Sequence, residues 1–335
     1  MLNPELKLNS KIFDEDVEQK SIRDGYGEAL MELGEKNPNV VVLTADLAES
    51  TKVHKFAEKW PERFIECGIA EQNMAGIAAG LAVSGKIPFI SSYATFSPGK
   101  NWETIRTTII YNEANVKIAG HHAGIVTGPD GATHQATEDI AITRCWPKIK
   151  IISPCDSLEA KKATLYSAEV YGPFYIRFVR DKTPIITTEE TPFRFGRIEK
   201  FWIPRINTLD PRQSVVVIFA TGHLVYQALL AAKELEEEGI YTYVCNVHTI
   251  KPFDGETILE LVSIPSVKGI VTVEDHQIAG GMGSAISEFL AKTKPTRIEF
   301  IGLQDTFGES GSMKDLLTKY KMDKEAIKEA VKKMI

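Results

Sequence analysis

Short runs of β-branched and aromatic residues alternate with longer amphipathic stretches along nearly the whole chain. The short runs are almost continuously apolar, which is typical of strands in parallel sheets that helices cover on both faces. The predicted strands include 40–43, 88–91, 116–120, 150–152, 174–179, 215–220, 241–247, 269–274 and 297–303. The pattern therefore predicts an α/β fold of two doubly wound domains with mostly parallel sheets.

A stretch rich in proline separates two sets of predicted strands. Four prolines lie between residues 183 and 213, where no sustained periodicity is found, and this is typical of an interdomain linker. A length of 335 residues also favours two domains. The predicted parts are an amino-terminal extension (1–18), a first domain (19–185), a linker (186–212) and a second domain (213–335).

The composition excludes several classes of function. The chain has 39 Lys and Arg against 45 Asp and Glu, a net charge of −6, which argues against a nucleic-acid or anionic-membrane partner held by bulk charge. The four cysteines form no CxxC pair, which is typical of reduced thiols in a cytosolic protein. The amino terminus is polar, without the apolar core of a signal peptide. We therefore expect a cytoplasmic protein.

Glu71 lies between a strand-like segment and a helix rich in small residues. This position puts its carboxylate at the carboxyl end of a predicted strand, the edge of a parallel sheet where ligands bind. Taken by itself, an acidic residue in the first turn of a helix is more simply explained as a group that complements the helix dipole. Glu71 is thus a candidate site residue that its local sequence does not establish.

A long loop rich in glycine and histidine follows the predicted strand 116–120. Three histidines and Asp130 fall within fourteen residues of it, at 121–134. Loops between α/β elements usually have about 2–6 residues, so the length of this one indicates a function. A metal site is the rival interpretation, but the loop contains no HxH or HxxxH pair. We rank metal binding below recognition of a sugar phosphate.

Two further segments each allow two interpretations. Phe89, Tyr93 and Phe96 follow one another along a strand-to-loop transition, and they are either core residues or an aromatic slot for a planar ring. Arg177 and Arg180 end another predicted strand. They form either a solvated edge or a clamp for a phosphate group.

The order of these segments resembles that of the transketolase family, in its pyrimidine-binding and carboxyl-terminal domains. The resemblance covers residues 19 to 330. It rests on an ordered set of motifs: Ala45-Asp46-Leu47, Gly68-Ile69-Ala70-Glu71-Gln72, the aromatic run, Gly128-Pro129-Asp130-Gly131-Ala132-Thr133-His134-Gln135, and Val273-Glu274-Asp275-His276 followed by Gly280-Gly281-Met282-Gly283. It implies a transferase that moves a two-carbon ketol unit from a ketose phosphate to an aldose phosphate, as in the pentose phosphate pathway.

The family binds thiamine diphosphate and Mg²⁺ through a Gly-Asp-Gly motif followed by Asn, and this chain has no such motif. The resemblance therefore implies a split enzyme, in which a separate amino-terminal transketolase subunit supplies the diphosphate and metal ligands. No metal ligand is expected on this chain. The implied assembly is a heterotetramer with two copies of each subunit, active only when both are present.

The resemblance also implies roles for individual residues. Glu71 is expected to hydrogen-bond N1′ of the aminopyrimidine, and His122 to assist proton movement at the donor oxygens. The other expected cofactor contacts are Phe96, Tyr93, Phe89, Asp46 and Leu47. Asp130 is expected to contact the C2 hydroxyl of the donor sugar, and His134 and Arg180 to bind the acceptor phosphate, with Arg177 as the alternative clamp. The second domain, which has no comparable cluster, is expected to have a mainly architectural and interface role.

Three alternatives stay open at this point. Deoxyxylulose-phosphate synthase shares the Glu and the Asp-Gly-x-Thr-His-Gln segment. Its sequence is similar to Asp-Arg-Ala-Gly, however, at the position where this chain has His121-His122-Ala123-Gly124. The β subunit of a 2-oxo acid dehydrogenase is also a separate chain, but its counterpart loop lacks Thr-His-Gln. A non-catalytic regulatory subunit is the third, and the intact Glu71, Asp130 and His134 argue against it.

Overall fold

The computed structural model describes residues 1–335. The strands are β1 (Gln19–Ser21), β2 (Val40–Thr44), β3 (Phe64–Glu66), β4 (Ile87–Tyr93), β5 (Lys117–His121), β6 (Lys150–Ile152), β7 (Phe174–Arg177), β8 (Lys182–Pro184), β9 (Glu199–Trp202), β10 (Val215–Ala220), β11 (Tyr241–Asn246), β12 (Thr249–Lys251), β13 (Val267–Gln277) and β14 (Ile298–Leu303). The helices are α1 (Ile22–Lys36), α2 (His54–Lys59), α3 (Glu71–Val83), α4 (Trp102–Thr104), α5 (Asp139–Arg144), α6 (Ser157–Glu169), α7 (Leu224–Glu237), α8 (Gly255–Val262), α9 (Met282–Thr293), α10 (Met313–Lys319) and α11 (Lys324–Lys332).

The first sheet has seven strands in the order β12-β6-β7-β5-β4-β2-β3. All neighbours are parallel except β12, which runs antiparallel to β6. All five residues of β2 and all five of β5 are buried, because helices cover both faces of the sheet. Parallel pairing brings the carboxyl ends of β2, β3, β4 and β5 to one edge, where the candidate site lies.

The second sheet has five strands in the order β14-β13-β10-β11-β9. Its pairs are parallel apart from the edge strand β9, which is antiparallel to β11. Every residue of β10 is buried at the centre of this sheet. The prediction of an α/β fold with two mostly parallel, helix-covered sheets is thus confirmed.

The stretch predicted as a linker contains a strand. β9 lies within it and pairs with β11, and the amino terminus continues this edge, since the amide of Asn3 donates to the carbonyl oxygen of Phe201 at 2.9 Å. Conversely, β12 belongs to the second half of the chain but pairs with β6 and extends the first sheet. Such short edge strands depend on long-range pairing and carry little periodicity of their own, so sequence pattern did not reveal them.

The apolar core is continuous between the two sheets. Phe174 of the first sheet and Ile218 of the second belong to one cluster of buried side chains, and Leu43 and Phe219 belong to another. Fully burying such a side chain contributes roughly 1.5–3 kcal/mol, so the shared core holds the sheets together. No helix of the structure combines the length and apolar character that a membrane crossing requires.

Candidate active site

A cleft of about 500 Å³ opens where β2 and β4 end and α3 begins. Seven residues that the sequence singled out line it together: Asp46, Leu47, Glu71, Tyr93, Phe96, Asp130 and His134. Ala45 and Ile69 complete the lining. The topology brings these residues together because the strands that precede them are neighbours in one parallel sheet.

Glu71 is the buried acidic group of the cleft. It is the first residue of α3, and its side chain is only 3% exposed. One carboxylate oxygen, Oε2, accepts a hydrogen bond from Nζ of Lys100 at 3.0 Å, whereas Oε1 accepts none from the chain. The main-chain oxygen accepts from Nδ2 of Asn101 at 3.0 Å, which fixes the start of the helix. Glu71 thus offers one carboxylate oxygen to a ligand.

Lys100 is a site residue that sequence reasoning missed. Its side chain is 49% exposed, and its ammonium group forms an ion pair with the buried carboxylate of Glu71. It lies in a segment of Ser, Pro, Gly and Lys that carries no sign of function in the sequence. Only the fold, which packs this segment over the start of α3, reveals the pairing.

Aromatic rings form one wall of the cleft. The rings of Tyr93 and Phe96 are nearly parallel, with centroids 6.1 Å apart and an angle of 15° between the planes. His134 meets Phe96 edge-on at 5.4 Å. Aromatic faces and edges arranged in this way contact planar heterocycles favourably.

Phe89 is not part of the aromatic slot that the sequence predicted. It is fully buried in the core, where its ring centroid lies 6.3 Å from that of Tyr26, and it does not line the cleft. The reason is depth: Phe89 precedes the end of β4 by four residues, or roughly 13 Å of extended chain. We therefore remove Phe89 from the set of proposed cofactor contacts.

Asp46 and Leu47 form the mouth of the cleft immediately after β2. Asp46 has a positive φ of 59°, which non-glycine residues seldom adopt, and this turns the chain sharply. Its amide donates to Oε1 of Glu66 at 2.8 Å, and the same oxygen accepts from the amide of Gly68 at 2.9 Å. Glu66 therefore ties together the ends of β2 and β3, a role that the sequence did not indicate.

His122 lies behind Tyr93 rather than in the lining of the cleft. Its ring stacks on that of Tyr93 at 3.8 Å, and its buried Nδ1 has no hydrogen-bond partner. Burial, followed by the charges of Arg23 and Arg180, lowers the pKa of His122 to about 3. The imidazole is therefore neutral at physiological pH.

The neighbouring His121 is a core residue. It is fully buried, and its ring packs 5.1 Å from Tyr26 and 4.9 Å from Phe178. Burial lowers its pKa well below the usual value, so this ring is also neutral. Only two of the three histidines in the loop are thus close to the cleft.

The two candidate arginines differ in burial. Arg177 is buried, and its Nε donates to Oδ2 of Asp139 at 2.8 Å, which occupies it inside the protein. Arg180 is 32% exposed at the side chain, and its Nη1 donates to the carbonyl oxygen of Thr127 at 3.0 Å and lies 3.8 Å from Oδ1 of Asp130. Of the two, Arg180 is the one that borders the cleft.

The structure contains no group of three or more His, Cys, Asp or Glu side chains that could hold a metal ion. The cleft itself carries two acidic groups besides Glu71, and they lie on different segments, at Asp46 and Asp130.

Fold and site together define a class of protein: paired, mostly parallel α/β domains with a cleft at the carboxyl ends of the strands of the first sheet. Residues 18–185 match the family model of the transketolase pyrimidine binding domain, and residues 206–327 match that of the transketolase C-terminal domain. The chain therefore belongs to the transketolase family, and within it corresponds to the carboxyl-terminal section.

Three known proteins show how much of the family the chain spans. A protein of Methanocaldococcus jannaschii named as a transketolase C-terminal section is 44% identical over 92% of this chain and 94% of its own length. A split gene transketolase, solved as an inactive beta4 tetramer, is similar with a TM-score of 0.84 and 40% identity, covering 94% of this chain and 98% of that one. Human transketolase is 33% identical over 99% of this chain but only 50% of its own length.

Proposed function

We propose that this chain is the carboxyl-terminal subunit of a thiamine-diphosphate-dependent transketolase, which transfers a two-carbon ketol unit from a ketose phosphate to an aldose phosphate. The observation that carries the proposal is the carboxylate of Glu71, buried in the cleft with one oxygen free beside an aromatic wall. An aminopyrimidine is a planar ring with hydrogen-bonding nitrogens, and this surrounding suits it.

The proposed roles of the residues follow from where they lie. Glu71 holds a proton at N1′ of the pyrimidine, while Phe96 and Tyr93 contact the ring. Thiamine diphosphate supplies, when bound, the stabilisation of negative charge on the transferred carbon. Asp46 and Leu47 contact the cofactor at the mouth of the cleft, where the structure has a sharp turn.

The proposed substrate contacts line or border the same cleft. Asp130 and His134 line it, and Arg180 lies beside Asp130, so a sugar phosphate would meet a carboxylate, an imidazole and a guanidinium. Hydrogen bonds to such charged groups contribute about 1.5–3 kcal/mol each. His122 lies behind Tyr93 and outside the lining of the cleft, and its neutral imidazole is proposed to assist proton movement at the donor oxygens from that position.

The diphosphate and Mg²⁺ ligands are proposed on a separate amino-terminal subunit. This chain has no Gly-Asp-Gly motif and spans half the length of human transketolase. The related split gene transketolase, described as an inactive beta4 tetramer, supports the idea that chains of this kind associate with one another and lack activity by themselves. The proposed active assembly contains two copies of each subunit.

The proposal is tested by co-expressing the chain with the amino-terminal subunit and assaying xylulose-5-phosphate with ribose-5-phosphate, and pyruvate in parallel. We expect ketol transfer between the two sugar phosphates and no reaction with pyruvate. Glu71→Gln should lower kcat by at least about 10²-fold, the typical contribution of a positioned proton-transfer group. The matched control is Glu256→Gln, because Glu256 is also a first-turn acid in an ion pair but lies in α8, outside the cleft. Unchanged kcat in Glu71→Gln would contradict the proposed role.

A further inference from the structure

A carboxylate of the second half of the chain reaches into the loop that carries the proposed substrate contacts. Asp275 lies near the end of β13 and is 1% exposed. Its Oδ1 accepts a hydrogen bond from the amide of Ile125 at 2.9 Å, and its Oδ2 lies 3.1 Å from Nε2 of His223. Ile125 begins the short helical turn of the loop, between His122 and Asp130. Asp275 therefore caps this turn from another domain.

The loop backbone fits closely against the carboxylate. A Cβ atom placed on Gly124 would lie 2.0 Å from Oδ2 of Asp275, and Gly124 has a φ of 79°. Only glycine can occupy this position without moving one of the two segments. Arg177 holds the same junction from behind, because its Nη2 donates to the carbonyl oxygen of Asp275 at 2.6 Å.

The capped turn is connected to the proposed site through Thr127. The hydroxyl of Thr127 donates to the carbonyl oxygen of His122 at 2.6 Å, which fixes the backbone that carries the imidazole. The carbonyl oxygen of Thr127 accepts from Arg180 at 3.0 Å. One turn, held by Asp275, thus contacts both the backbone of His122 and the side chain of Arg180.

Asp275 is ionised in the folded protein. Burial by itself would raise its pKa, but the hydrogen bond from His223, the charge of Arg177 and the amide of Ile125 together hold the pKa below its usual value. The bond to the Ile125 amide is therefore charge-assisted, the stronger kind of hydrogen bond.

We propose that Asp275 is a positioning residue that holds the loop 121–135 in the conformation in which its side chains can bind a sugar phosphate. The inference rests on the proposed function for its effect on turnover, but the effect on the loop is independent of it. It assigns to the second domain a part in substrate recognition, where an architectural role was expected.

The test uses the complex of this chain with the amino-terminal subunit and the variant Asp275→Asn. Two measurements are made: hydrogen exchange of peptides from 121–135, and steady-state kinetics with thiamine diphosphate titration. We expect exchange in the loop to become roughly tenfold faster, as the charge-assisted bond is lost. The KM for the donor sugar phosphate should rise roughly tenfold, while the Kd of thiamine diphosphate changes by less than about twofold.

The matched control is Glu274→Gln. Glu274 is the adjacent buried carboxylate, but it accepts from the amides of Met282 and Gly283 and so caps α9 within the second domain. It should leave exchange in the loop and the donor KM unchanged. If Asp275→Asn does not fold, His223→Gln removes the imidazole beside Asp275 and should produce a smaller shift in the same direction.

Loop exchange in Asp275→Asn equal to that of the wild type would overturn the inference. A proportional weakening of cofactor and donor binding would also overturn it, because that result indicates a general loss of structure. If the wild-type complex shows no ketol transfer, the proposed function fails, and the exchange measurement still decides whether Asp275 holds the loop.

Discussion

At the scale of single residues, burial divides side chains that look equivalent in the sequence. Arg180 borders the cleft and Arg177 is enclosed with Asp139, so the two arginines should respond differently to removal. We predict that Arg180→Ala raises the KM of phosphorylated acceptors roughly tenfold, and that of unphosphorylated acceptors much less, because a charged hydrogen bond is lost. Equal effects on both kinds of acceptor, measured in the two-subunit complex, would exclude a phosphate contact at Arg180.

Arg177→Ala provides the comparison. It leaves the buried carboxylate of Asp139 without its ion pair, and breaking a buried pair in this way typically costs about 3–5 kcal/mol. The expected result is a lower free energy of unfolding rather than a change in selectivity between acceptors.

The lowered pKa of His122 makes the stability of the protein decrease as the pH falls. Its pKa is lowered to about 3 by burial and by Arg23 and Arg180, whereas an unfolded histidine titrates at about 6.5. As the pH falls below about 6.5, the unfolded state binds a proton that the folded state does not, so stability is lost.

We predict that wild type loses about 1.4 kcal/mol more than His122→Asn between pH 7.5 and pH 5.5, in urea unfolding followed by fluorescence. Asparagine is chosen because it tolerates the positive φ of 53° at this position. Parallel stability curves for the two proteins would show that His122 is not held neutral.

Residue patterns predicted which segments meet in the cleft but not how deep each side chain lies. Tyr93 and Phe89 are both on β4, and the sequence offers no measure of their distance from its carboxyl end. Lys100 was missed for a different reason, since its pairing with Glu71 joins residues far apart in the sequence. Order along the chain is local information, whereas depth and pairing are properties of the fold.

At the scale of elements, long strands and helices with strong periodicity were predictable, and short edges were not. β10 begins and ends where its pattern predicts, at residues 215 and 220. β9 and β12 have four and three residues, and each forms only because a neighbour offers unpaired backbone groups. Neighbouring segments also shift the pKa of a carboxyl group at the start of α6.

Glu159 is a buried carboxyl group in the first turn of α6. Burial, followed by the charge of Asp156, raises its pKa to about 8. Its oxygens accept from Nδ2 of Asn246 at 2.8 Å and from the amide of Cys155 at 2.7 Å, while Oδ1 of Asn246 has no partner. Turning the Asn246 amide would let that oxygen accept from a protonated carboxyl group.

Glu159→Gln should therefore remove a pH dependence of the free energy of unfolding. Between its unfolded pKa of about 4.3 and its folded pKa, the folded state keeps a proton that the unfolded state has released, so stability falls as pH rises. From pH 5.5 to 7.5 we expect wild type to lose about 2–3 kcal/mol relative to Glu159→Gln, measured by chemical unfolding at each pH. If the free energies of unfolding of the two proteins differed by the same amount at every pH, Glu159 would be ionised over the whole range from pH 5.5 to 7.5.

At the scale of the whole molecule, the cleft continues into an exposed face of α3. Ile69, which lines the cleft, is 75% exposed, and Val83 at the other end of α3 is 80% exposed. Between them, Gly76 and Gly80 have open space where a Cβ atom would be. Glycine inside a helix costs about 1 kcal/mol relative to alanine, and its small size allows another backbone to approach closely. In the proposed two-subunit enzyme, this exposed face is expected to contact the amino-terminal subunit.

Substitution of Gly76 separates stability from assembly. Gly76→Ala should raise the free energy of unfolding of the isolated chain by about 1 kcal/mol, because the helix gains propensity and nothing is displaced. Gly76→Trp should leave the isolated chain folded, yet weaken its binding to the amino-terminal subunit by more than about tenfold, since the bulky ring would occupy the contact. The control is Glu169→Trp at the exposed end of α6, which should bind normally in the same analytical ultracentrifugation experiment. Normal assembly of Gly76→Trp would place the partner on another surface.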